Sequence, residues 1–144
     1  MSLFLVKKFD KNISNFIYKL RNKRYVRDQS ISKKKIMIYK HELWLKKFIN
    51  NLNNNFYIIK YKGMNAGYLR TVKKKINKVV SWALLKKYQN KGIMTRNLIK
   101  LTSNKRYKYR ACVKKNNFPS LKMAYKAGFT KSIKRGNFVY LYKF

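Results

Sequence analysis

Val79-Val80-Ser81-Trp82-Ala83-Leu84-Leu85, followed after three residues by Gln89-Asn90-Lys91-Gly92-Ile93-Met94, decides how this chain is read. The first stretch is an apolar run of the length of a central strand. The second opens a segment with helical spacing of its apolar residues. A strand, a short loop with a glycine and a helix start together make a place to hold a diphosphate. The first amides of a helix point outward without partners, and the helix dipole adds partial positive charge there. Gly92 lets the backbone approach an anion with no Cβ in the way. A second segment, Asn117-Phe118-Pro119-Ser120 followed by Tyr125-Lys126-Ala127-Gly128-Phe129, stands downstream of it.

Working outward, the periodicities predict a strand over 2–9 and a helix over 12–21, with Ile13, Phe16, Ile17 and Leu20 on one face. Residues 22–35 are polar and charged and read as a loop or irregular helix. A helix over 39–52 carries Trp44, Phe48, Ile49 and Leu52 on one side and ends at Asn53-Asn54-Asn55. Strands over 56–61 and 66–72 form a hairpin about Gly63-Met64-Asn65. The central strand covers 78–85, and a helix follows over 93–102. Tyr107, Tyr109, Ala111 and Val113 alternate with Lys108, Arg110, Cys112 and Lys114, as in a half-buried strand. Asn117 caps the next helix, Pro119 fits its first turn, and Gly128 ends it. Strands over 129–133 and 138–142 close the chain around Arg135-Gly136-Asn137.

At 144 residues, with 46% hydrophobic content, nine Phe and twelve Tyr, the chain reads as one globular domain and not as a disordered polycation. No run approaches the ~18 apolar residues of a membrane span. Met1-Ser2-Leu3-Phe4-Leu5-Val6-Lys7 is too short and too soon charged for a secretory signal, and a lone Cys112 fits a reducing cytoplasm. One His and one Cys do not make a metal site. The net charge of +35 comes from 38 basic residues against Asp10, Asp28 and Glu42. Most lysines read as solvated cover. The sum attracts anions (nucleic acid, a nucleotide-linked substrate, an acidic membrane surface) and repels polyamines and aminoglycosides.

The loop and the downstream segment, in that order, resemble the GNAT acetyltransferase superfamily. That family's loop reads Gln/Arg-x-x-Gly-x-Gly/Ala; Gln89, Gly92 and Ile93 fit it, and Met94 stands where the family has Gly or Ala. Its last helix reads roughly Asn-x-x-Ser/Ala and then Tyr-x-x-Gly-Phe, which Asn117, Ser120, Tyr125, Gly128 and Phe129 match. The element order β-α-α-β-β-β-α-β-α-β-β is similar from end to end. The resemblance implies an α+β fold, layered α/β/α. A mixed central sheet of six to seven strands holds a splayed parallel pair and is flanked by about four helices, in a single domain over 1–144. Leu20-Arg21-Asn22, Val26-Arg27, Ile36 and His41-Glu42-Leu43-Trp44 look like the branch that acetylates nucleotide-linked sugars. Ribosomal-protein N-terminal acetyltransferases share the Arg-Asn pair.

The resemblance further implies acetyl-CoA as co-substrate and no metal. The splayed strands would admit its pantetheine arm beside Ala83, Leu84 and Leu85. Gln89, Asn90, Lys91, Gly92, Ile93, Met94 and Thr95 would line its diphosphate, with Arg96 near the ribose phosphate. Asn117 and Ser120 would flank the pantetheine. Tyr125 stands as the acid that protonates the thiolate, and His41 or Ser81 as the base, because acetyl transfer needs a neutral amine and a stabilised leaving group. Arg21, Arg27, Glu42, Trp44 and Tyr68 are acceptor-side candidates. The expected partner is an anionic, amine-bearing small molecule, with non-specific nucleic acid drawn by the charge, for a monomer or homodimer. Two alternatives stand beside it: a protein N-terminal acetyltransferase of ribosomal-protein type, and a basic nucleic-acid-binding module on a catalytically weakened scaffold.

Overall fold

The computed structural model describes residues 2–144; Met1, part of the stretch read against a secretory signal, lies outside the described residues. Strand β1 (Ser2–Leu5) is shorter than the expected 2–9, because the chain leaves the sheet after the Val6 amide donates to the Phe56 carbonyl. Asp10 then caps helix α1 (Lys11–Arg21), its carboxylate accepting from the Ile13 amide at 3.0 Å. The segment over 22–35, expected as a loop or irregular helix, contains a one-turn helix, α2 (Arg24–Arg27). Side chains hold this segment. Asn22 exchanges two hydrogen bonds with the backbone of Ile36, and Arg27 donates to the carbonyls of Asn22 and Lys33. Helix α3 (Ile38–Asn50) follows, with His41, Leu45 and Phe48 inward.

Strands β2 (Asn54–Tyr61) and β3 (Met64–Lys74) turn on Lys62 and Gly63, both at positive φ, the pairing that suits strand twist in a two-residue hairpin. Then come β4 (Asn77–Leu84), a 3-10 turn (Lys86–Tyr88), α4 (Ile93–Leu101), β5 (Lys108–Lys114), α5 (Phe118–Lys126), β6 (Lys131–Arg135) and β7 (Phe138–Lys143). All seven strands form one sheet in the order β1-β2-β3-β4-β5-β7-β6, antiparallel except for β4 against β5.

The core lies on both sides of this sheet. On one side Leu98 of α4, Ala124 of α5 and Phe129 just after it pack against Leu69, Ala111 and Leu141. On the other, α1 and α3 bury Ile17, Leu20 and Leu45 against Phe56, Ile58 and Tyr68. The second cover stops at β4: none of that cluster's buried residues belongs to β5, β6 or β7. Burial explains why so cationic a chain folds. The apolar faces are continuous, and the lysines stand on the outer faces, where solvent screens them. Among the described residues only two ion pairs form, Lys11 with Glu42 and Arg24 with Asp28. No helix among them is long and apolar enough to cross a membrane.

Candidate active site

Strands β4 and β5 pair only at Asn77 with Lys108, Lys78 with Tyr109 and Val79 with Arg110, and then part. Strand β4 stays paired with β3 along its whole length, and β5 with β7. Backbone groups alternate sides along a strand. The Ile76 carbonyl accepts from Lys108 on the β5 side, and the Leu85 amide donates to Ala66 on the β3 side. Even-numbered β4 residues therefore turn toward the gap. Trp82 and Leu84 present backbone groups to it, whereas Ala83 and Leu85, expected there, face β3. Gly67 shows how close that approach is: a Cβ on it would lie 2.3 Å from the Ala83 carbonyl.

The loop after β4 ends in two left-handed residues, Asn90 at φ 63° and Gly92 at φ 73°, and Gly92 is the N-cap of α4. The amides of Ile93, Met94 and Thr95 form the first turn and point out of the helix end. Met94 does not fill the space before them. Its side chain is 6% exposed and lies in the core with Leu69 and Leu98. Two loop side chains brace the backbone. Gln89 donates to the Leu84 carbonyl at 3.1 Å, so its amide serves the loop and caps one of the two gap-facing residues. Arg96 donates to the Lys91 carbonyl at 3.2 Å and covers Gly92, whose Cβ would lie 2.7 Å from its Nη1. Lys91 is exposed beside them. At the start of α5, the Asn117 side chain accepts from the Ser120 amide at 3.4 Å, so these two residues cap their own helix.

On the α1/α3 side of β4 the structure brings together Arg21, His41, Trp44 and Tyr68. It adds Arg70, which the sequence reading missed. Arg70 stands opposite both Phe56 and Ser81 in the sheet register, which puts it on the same face as Ser81 and Tyr68. The Arg21 and Arg70 guanidinium carbons lie 4.2 and 5.3 Å from the Trp44 ring centroid. Both arginines are half-buried and neither joins an ion pair. Burial lowers the pKa of Arg21, opposed by Tyr68 and reinforced by the charge of Arg70; the cluster itself holds two guanidiniums and no carboxylate. Trp44 also packs against His41, Phe48 and Phe56, with ring centroids 6.0, 5.1 and 6.2 Å away.

Four further expectations need correction. His41 is fully buried, and Nε2 lies 3.1 Å from the Ser14 carbonyl, so that nitrogen carries the proton and donates. Its pKa falls to about 4, chiefly by burial and then by the Arg21 charge, and its Nδ1 lies 3.5 Å from Arg21 Nη1, so the ring is enclosed beside that arginine. Tyr125 is 47% exposed, and its hydroxyl points to Ser132 at 3.5 Å. Ser132 is on β6, two strands beyond β5 on the side away from β4, about 10 Å from β5 at the usual strand spacing. The hydroxyl is therefore turned away from the gap, because α5 buries Ala124 and Ala127 instead. Arg27 braces the α2 loop through the Asn22 and Lys33 carbonyls. Glu42 pairs with Lys11 at 2.8 Å on the outside of α3.

Ser81 is half-buried beside Arg70 and stays adjacent to the gap. Cys112 lies on β5 past the last paired residue. Burial raises its pKa, so its thiol is protonated near neutral pH. No cluster of three or more His, Cys, Asp or Glu suited to a metal occurs among the described residues.

The chain matches no protein-family model and no curated protein. Solved structures match it along its length. RimL, a ribosomal alpha-N-protein acetyltransferase solved with coenzyme A, is 16% identical with a TM-score of 0.81, covering 97% of this chain and 90% of its own. The Campylobacter jejuni N-acetyltransferase PseH, solved with acetyl coenzyme A, is 18% identical with a TM-score of 0.74, covering 98% and 96%. The Vibrio cholerae spermidine N-acetyltransferase, solved with coenzyme A and spermine, is 14% identical with a TM-score of 0.76, covering 97% and 94%.

Proposed function

We propose that this chain, which has the GNAT fold, is an acetyl-CoA-dependent N-acetyltransferase whose acceptor is a small anionic molecule bearing a primary amine. The leading class is a nucleotide-linked amino sugar. One observation carries the transferase reading: the parallel pair opens after Val79 beside a helix that starts at a left-handed Gly92. The amides of Ile93, Met94 and Thr95, with Lys91, suit a diphosphate. The backbone of Trp82 suits the amide groups of a pantetheine arm, which would lie as an added strand. Similarity to acetyltransferases solved with coenzyme A supports the same placement.

The chemistry is direct transfer. The amine lone pair attacks the thioester carbonyl, a C–N bond forms, the C–S bond breaks, and the amine loses a proton. The cationic surroundings lower the pKa of a bound ammonium, so more of it is neutral. The same field stabilises the departing thiolate. Ser81 is the side chain best placed to pass the amine proton to water. The acceptor class rests on Arg21 and Arg70, two half-buried guanidiniums without carboxylates, which suit the phosphates of a nucleotide sugar.

Isothermal titration of acetyl-CoA into the purified chain, followed by thiol release with candidate amines, tests both levels. Micromolar binding with turnover of an anionic amino sugar is expected. Absence of acetyl-CoA binding overturns the transferase reading. Turnover of spermidine or of peptide N-termini in preference to anionic amines overturns the acceptor class alone.

A further inference from the structure

The sheet face that α1 and α3 leave uncovered has a composition of its own. In the register, Arg110, Tyr142 and Lys131 stand in one row across β5, β7 and β6, with Tyr140 and Phe138 in the rows beyond. Directly paired residues share a face, so aromatic rings run down the middle strand with basic residues on both flanks. Phe144 extends the column. It is 63% exposed and stacks on Tyr142 with centroids 6.1 Å apart and planes 18° apart. The Lys108 and Lys131 ammonium groups lie 5.0 and 4.8 Å from the Phe144 centroid. Lys131, Ile133, Tyr142 and Phe144 bound an open depression of about 620 Å³ here, at the sheet edge.

We propose that this face binds single-stranded nucleic acid, with bases stacked on Tyr142 and Phe144 and phosphates held by Lys108, Arg110 and Lys131. The charge is complementary: no carboxylate side chain stands on β5, β6 or β7, and of the three acidic residues, all in the helical half, Asp28 reaches β5 through its carbonyl, which accepts from Lys114 at the strand's end. Single strands fit because they expose base faces, which a duplex hides. Flat aromatics on a sheet, rimmed by cations, are the general arrangement for stacking splayed bases with little sequence preference. The platform extends from the β5 edge of the gap away from β4.

The test is fluorescence anisotropy of a labelled short oligouridylate with the full chain and no acetyl-CoA, across a salt series, with inorganic polyphosphate as the base-free control. The oligomer is expected to bind with steep salt dependence. Phe144→Ala and Tyr142→Ala should each weaken it about tenfold and leave polyphosphate binding unchanged. Lys131→Ala should lower the salt slope by about one. Lys122→Ala, on α5 on the opposite side of the sheet, should change neither. Wild-type affinity in Phe144→Ala, whose exposed ring can be removed without unfolding the chain, overturns the proposal. So does an equal loss of polyphosphate and oligouridylate binding in the aromatic variants.

Discussion

His41 Nδ1 lies 3.5 Å from Nη1 of Arg21, and since Nε2 donates to the Ser14 carbonyl, Nδ1 is the acceptor of that contact. The one imidazole of the chain is thus a wedge between two helices, and its neutral form is the one that fits.

This has a consequence for stability against pH. The pKa of His41 is about 4 in the folded protein and 6.5 in its ordinary state. The unfolded chain binds the extra proton first, so its stabilising effect is complete above pH 6.5 and is lost as pH falls toward 4. The loss amounts to about 3 kcal/mol. Denaturant melts across that window should show the decline in the wild type, and His41→Gln should lack it. A wild-type curve flat over the same range would refute the assignment.

Turnover should not depend on the Tyr125 hydroxyl. Tyr125→Phe is expected to keep kcat within about twofold, because losing a general acid costs about a hundredfold or more. A fall of that size in thiol-release assays would show that the side chain swings into the gap.

Gly92 should tolerate no side chain. Alanine there is strained by about 1–2 kcal/mol at positive φ and displaces the Arg96 guanidinium from the Lys91 carbonyl. Acetyl-CoA affinity measured by titration calorimetry should fall at least about tenfold in Gly92→Ala. Unchanged affinity would move the diphosphate away from this loop.

Met94 should matter to the core and not to the ligand. Met94→Ala removes a buried side chain and should destabilise the fold by about 2–5 kcal/mol, read from denaturant unfolding. Acetyl-CoA affinity at a temperature where the variant is folded should be unchanged. A large gain in affinity would mean that the thioether does crowd the phosphates.

The paired guanidiniums should act on the acceptor. Arg21→Ala and Arg70→Ala are each expected to raise KM for an anionic amine about ten- to a hundredfold with kcat little altered. Arg21→Lys should not restore it, since an ammonium loses the planar contact with Trp44. Steady-state kinetics that show an equal loss with a neutral amine would argue that the two residues only support the fold.

The fold was legible because its signals are local. The apolar run ending at Leu85, the glycine before Ile93 and the alternation after Tyr107 each name an element, and their order names the sheet. The loop before Ile93 was legible as a strand-to-helix turn for the same reason, except that Gln89 and Arg96 turn inward to brace it. Tyr125 was misread through helix phase. It keeps register with Asn117 and Gly128, yet one residue is about 100° of rotation on a helix, and α5 buries Ala124. Arg70 was invisible because its neighbours are set by pairing with Phe56 and Ser81, a register that no short window of sequence contains. His41 looked like a base because sequence shows a side chain's intrinsic pKa and not its burial. The α2 turn was legible only as a loop or irregular helix, because side-chain bonds from Asn22 and Arg27 hold it, with no apolar period to announce it.

Three rungs join the left and right leaves of this sheet. Without a bound molecule, the seam between them is where the protein is free to breathe. Amide hydrogens at Trp82 and Cys112 should therefore exchange with solvent sooner than those at Leu69 or Leu141, which sit inside intact ladders. A ligand lying in the seam would be a structural member as much as a reactant, turning two hinged leaves into one continuous board.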